Sequence, residues 1–98
     1  MIGNEEWKAI EALGDRYFLV TIYKDDDEEP TEGFTCYGSV HDIINCGVVG
    51  KYDFEDIAIC ISDFDRDGNE VDIAYGYHAT SPDEWEIVSD MERIIALA

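Results

Sequence analysis

Between Asp56 and His78 the chain alternates large and small side chains twice over. Ile57, Ile59 and Ile61 interleave with Ala58, Cys60 and Ser62; further on, Val71, Ile73, Tyr75 and Tyr77 interleave with Asp72, Ala74, Gly76 and His78. Successive side chains of a strand point to opposite faces, so a period of two marks two strands. Asp67-Gly68-Asn69 between them supplies the residues a tight hairpin turn needs. The pattern predicts one face carrying the large side chains of both strands and another carrying the small ones.

The same reasoning places the other elements. Arg16 to Lys24 is rich in β-branched and aromatic residues and reads as a strand, with Phe18, Val20 and Ile22 on one face and Tyr17, Leu19, Thr21 and Tyr23 on the other. Asp25 to Gly33 is an acidic loop ended by Pro30 and Gly33, and Phe34 to Gly38 is a short return strand. Three helices are signed at their ends. Asn4 is positioned to cap the first, in which Trp7, Ile10 and Leu13 recur at helical spacing before Gly14 stops it. Ser39 caps the second, Val40, Ile43 and Ile44 form its apolar face, and Gly47 ends it. In the last, Ser81, Pro82 and Glu84 form a start signal, and Trp85, Val88, Met91 and Ile95 form one stripe. The expected fold is one α+β domain over residues 1–98, in the order α-β-β-α-β-β-α, with an antiparallel sheet of two hairpins covered by helices.

Charge sets what such a domain can touch. Among 98 residues, 24 Asp and Glu face 6 Lys and Arg, for a net charge of −18 and an isoelectric point near 4.1. Binding to nucleic acid or anionic membrane requires Lys and Arg to displace counterions, so neither is an expected direct partner. A basic protein is attracted. With 46% hydrophobic residues there is still material for a core. Cys36, Cys46 and Cys60 show no C-x-x-C spacing and read as reduced thiols of a cytoplasmic protein. The N-terminus has no basic region followed by an apolar run, so no signal peptide is expected.

The motifs that carry chemistry are weak. Asp63-Phe64-Asp65-Arg66-Asp67-Gly68 begins like a calcium loop, but the twelfth position falls on Ala74, where the bidentate acid belongs. Asp and Gly at a hairpin tip explain the run without a metal. His41 and His78 match no zinc spacing with the cysteines, and there is no phosphate-binding glycine loop or nucleophile elbow. No enzyme activity, cofactor or metal is expected.

What remains is the distribution of acid. Asp25, Asp26, Asp27, Glu28, Glu29 and Glu32 lie on the first hairpin loop, and Asp63, Asp65, Asp67, Glu70 and Asp72 lie on or beside the second hairpin tip. Asp83, Glu84, Glu86, Asp90 and Glu92 add acid to the last helical stretch. Tyr23, Tyr37 and Tyr52 stand beside acids near element ends, where an amphipathic ring can anchor an interface rich in Arg and Lys. In size, charge and absence of catalytic motifs the chain resembles the small phage and mobile-element inhibitors that mimic nucleic acid, the anti-CRISPR and anti-restriction proteins. That resemblance is one of class and transfers no residue roles. It implies an acidic inhibitor that occupies the basic surface of a nucleic-acid-handling protein. An immunity or adaptor protein binding a basic partner without mimicry is the alternative, and an incidentally acidic metal-binding or housekeeping domain a third.

Overall fold

A computed structural model of the chain describes residues 3–24, 29–45, 57–77, 85–87 and 91–98. Its elements are α1 (Asn4–Glu11), β1 (Arg16–Lys24), β2 (Glu32–Gly38), α2 (Val40–Asn45), β3 (Ile57–Phe64), β4 (Glu70–Tyr77), β5 (Trp85–Ile87) and α3 (Met91–Leu97). The fold is α+β, as the end signals and periodicities imply. The strands form one sheet in the order β2-β1-β3-β4-β5, and every neighbouring pair is antiparallel. The two hairpins therefore meet through β1 and β3, the two strands with the longest apolar runs.

One face of the sheet carries the core. Phe18, Val20 and Ile22 from β1 and Ile57, Ile59 and Ile61 from β3 pack with Ile10 and Leu13 of α1 and its C-terminal turn, Val40, Ile43 and Ile44 of α2, and Ile94 of α3. Burying each such side chain stabilises the fold by roughly 1.5–3 kcal/mol relative to leaving it in water. Two helix-end signals, Ser39 and Gly14, act locally. The Asp42 backbone N–H donates to Ser39 Oγ at 3.1 Å, which caps α2. At α1 the cap position falls on Gly3, with no side-chain bond, so Asn4 is the first helical residue instead of the cap. Gly14 adopts φ 69°, the left-handed conformation that ends a helix, and its N–H donates to the Glu11 carbonyl at 3.1 Å.

The second hairpin departs from simple alternation. Ile61 pairs with Ala74 but Ser62 pairs with Asp72, so Ile73 is an extra residue on β4. A bulge of this kind places two residues of one strand opposite one of its partner and resets which face the following residues occupy. Ile73 and Ala74 are both buried. Beyond them Ala74 and Gly76 lie opposite Ile61 and Ile59 on the core face, while Tyr75 and Tyr77 lie opposite Cys60 and Ala58 on the other. The expectation that Tyr75 and Tyr77 share a face with Ile57, Ile59 and Ile61 is thus corrected. A period-two reading cannot see an inserted residue.

The last helix is also shorter than its signals imply. Trp85 belongs to β5, opposite Gly76 on β4, and is fully buried. Gly76 presents no side chain there, and the indole occupies the core face beside it. Its ring N–H is buried with no acceptor among the described residues, an arrangement that costs roughly 1–3 kcal/mol. The helical start signals at Ser81, Pro82 and Glu84 lie outside the described residues. In α3 the buried position is Ile94, and Ile95, placed on the apolar stripe by sequence, is exposed.

Candidate functional site

The sheet face opposite the core bears the residues that alternate with it: Tyr17, Leu19, Thr21 and Tyr23 on β1, Thr35 and Tyr37 on β2, Ala58, Cys60, Ser62 and Phe64 on β3, and Glu70, Asp72, Tyr75 and Tyr77 on β4. The ladders fix this set. Leu19 pairs with Thr35 on one side and Ser62 on the other, and Ser62 in turn pairs with Asp72. Small residues occupy the centre of this face, where Thr21, Ala58, Cys60 and Ser62 are buried. Large ones stand at its ends.

At one end the exposure is concentrated. Tyr17 and Tyr37 are directly paired, 69% and 61% exposed, with ring centroids 4.9 Å apart in an edge-to-face arrangement. Two residues beyond the Leu19–Ser62 pair, on the side of Tyr17, β3 presents Phe64, which is 52% exposed and pairs with Glu70. Three aromatic rings from adjacent strands thus border the second hairpin tip. Tyr77, also exposed, stands at the opposite end.

The acids of that hairpin divide by task. Asp63 lies on the core side and accepts from Arg16 Nη1 at 2.8 Å. Asp65 holds the turn: its Oδ1 accepts the backbone N–H groups of Asp67 at 2.9 Å and Asn69 at 2.8 Å. The Asn69 N–H, followed by that residue's side chain and the Asp67 N–H, holds the Asp65 carboxyl below the ordinary carboxylate range. Gly68 at φ 82° completes the turn, so the calcium-like run is accounted for by hairpin geometry. Among the described residues no group of three or more His, Cys, Asp or Glu could hold a metal ion.

Glu70 and Asp72 are left to the open face. Asp72 accepts from Ser62 Oγ at 2.9 Å, and neither carboxylate makes an ion pair among the described residues. Partial desolvation, followed by the neighbouring Asp72 carboxylate, raises Glu70 above its ordinary value. Arg93 reaches Glu70 only at its backbone carbonyl, 3.4 Å away. Below them, an open cleft of about 490 Å³ lies between the hairpin tip and α3, with Phe64, Arg66 and Arg93 in its walls.

The structure therefore sorts the sequence candidates. Tyr37 on β2 and Glu70 and Asp72 on β4 share the face opposite the core, with β1 and β3 between them, Asp67 stands exposed at the adjacent tip, and Asp63 and Asp65 are engaged internally. Glu29 and Glu32 are exposed at the far end of β2, and Tyr23 is half-buried. Asp25, Asp26, Asp27, Glu28 and Tyr52 lie outside the described residues. Sequence reasoning missed Tyr17 and Phe64. The signal is present for Tyr17, whose alternation with Phe18 puts it on the face opposite the core. Cys60 faces the same way, and burial pushes its thiol up to about 12, with the nearby Asp72 and Glu70 carboxylates adding to the rise. His41 packs its ring against Trp7, with centroids 5.7 Å apart. No described helix is long and apolar enough to cross a membrane. The chain matches no family model, no curated protein and no solved structure.

Proposed function

We propose that this protein is an inhibitor that binds the basic, nucleic-acid-handling surface of a partner protein and competes there with nucleic acid. The observation that carries the reading is the Glu70–Asp72 pair: an exposed and a half-buried carboxylate on one strand face, neither in an ion pair among the described residues. The two carboxyl groups stand within side-chain hydrogen-bond reach of each other, and together they present a concentrated patch of negative charge of the kind a phosphate-binding groove accepts. A cation supplied by a partner offsets the desolvation, and after it the Asp72 repulsion, that raise Glu70. A net charge of −18 steers association toward basic surfaces.

The test is capture of the partner with the intact chain as bait, followed by competition. A captured protein that binds DNA or RNA, and that releases the chain as its nucleic acid is added, supports mimicry. A partner that holds the chain and its nucleic acid together removes mimicry and leaves an adaptor or immunity role.

A further inference from the structure

We infer that Tyr37, Tyr17 and Phe64 form a docking strip for the arginine side chains of a basic polypeptide segment, with Glu70 and Asp72 taking the guanidinium charge. The inference rests on the basic-partner reading above and assigns it a surface and a chemistry. Cross-strand aromatic pairs do stabilise sheets, and Tyr17 with Tyr37 contributes in that way. That role does not require Phe64 on the next strand to stay more than half exposed as well. Exposed rings grouped on one face of a small domain mark an interaction surface.

The chemistry of the surround selects the occupant. A second copy of this chain brings another −18 and is repelled. An apolar partner would desolvate Glu70 and Asp72 without pairing them. A nucleic acid could stack on the rings, but its phosphates would meet the same carboxylates. A guanidinium satisfies both features, since its flat face stacks on aromatic rings and its edge donates to a carboxylate in a fork. Lysine, a compact and strongly hydrated charge, matches both less well, because it has no flat face to stack and no fork to offer a carboxylate.

Two synthetic twelve-residue peptides decide the matter, one alternating Arg with Thr and the other Lys with Thr, titrated against the whole chain at low and moderate salt. The arginine peptide is expected to bind about two- to fivefold tighter for each ring it stacks on. The preference should vanish in the double variant Tyr17→Ser/Tyr37→Ser and persist in Tyr17→Phe/Tyr37→Phe, which keeps the rings. Equal affinity of the two peptides for the wild-type chain, or a preference that survives the serine variant, overturns the strip while leaving a basic partner in place. If neither peptide binds even at low salt, the basic-partner reading itself falls. Should the serine variant fail to fold, amide chemical shifts of the wild-type chain substitute: arginine-peptide shifts centred on residues 17, 37 and 64 support the strip, and shifts centred elsewhere overturn it.

Discussion

Arg16 donates from Nη1 to Asp63 Oδ2 at 2.8 Å, and the same guanidinium reaches the backbone carbonyls of Leu13 at 3.1 Å and Leu97 at 3.1 Å. One side chain thereby joins the turn after α1, the end of α3 and strand β3. The carbonyls at helix ends lack intrahelical donors, and a cation there also complements the helix dipole.

Arg16→Met should therefore destabilise the fold by about 1–3 kcal/mol in urea denaturation, since hydrogen bonds to charged groups are the stronger kind but this site is partly solvent-screened. Arg16→Lys should recover little, because a single ammonium cannot span three acceptors in the fixed fork of a guanidinium. Full stability in Arg16→Met would reduce the contact to an incidental surface pair.

Asp65 and Glu70 should pull acid stability in opposite directions. The folded state holds Asp65 below 3.8, so its contribution is present above that value and disappears as pH falls through the lower folded value. Glu70 is raised above 4.5, so the folded state prefers it protonated and stability is lost as pH rises through that window. Glu70→Gln should then stabilise the chain at neutral pH, by less than about 1 kcal/mol for so exposed a group, with the gain fading as pH falls through the raised folded value and gone below 4.5. Thermal melts of the variant across a pH series measure it. A variant less stable than wild type at neutral pH contradicts the assignment.

Much of this fold is legible in the sequence, for identifiable reasons. β1 is bounded as its alternation implies because one face is wholly core, so a shift of one residue would expose Phe18, Val20 and Ile22. Ser39 and Gly14 act locally and are read locally. Trp85 is not legible in this way, because its helical spacing to Val88 and Met91 competes with a long-range pairing to Gly76 that no local pattern records. Ile73 is the same lesson on a smaller scale, since a bulge is a property of two strands in register. In the candidate site, the acids could be found by type but not by use: Asp63 and Asp65 look like Glu70 and Asp72 until their partners are known.

Cys60 should behave as a buried thiol. With its ionisation pushed to about 12 and its side chain under the sheet surface, alkylation in a background of Cys36→Ser and Cys46→Ser should proceed only through opening of the structure. Labelling by iodoacetamide in urea should then track unfolding. Rapid labelling of the native chain at neutral pH would show that this face opens locally.

The strongest test of the acidic site separates position from total charge. Glu70→Lys with Asp67→Lys reverses two carboxylates beside the aromatic strip, while Glu5→Lys with Glu11→Lys reverses two exposed ones on α1. Each double variant moves the net charge by +4, from −18 to −14. If long-range attraction alone governs binding, both should slow association with the arginine peptide equally, and added salt should erase the difference from wild type. If the strip is the docking surface, the Glu70/Asp67 variant should also dissociate faster, because contact charges act on the bound state as well as on the approach. Each lost pair is worth about 1 kcal/mol or less, so a several-fold rise in the dissociation rate is the expected scale. Stopped-flow traces at two salt concentrations resolve the two rates. Identical dissociation rates for the two variants would place the interface elsewhere on the molecule, with the acids of the second hairpin serving only the overall field.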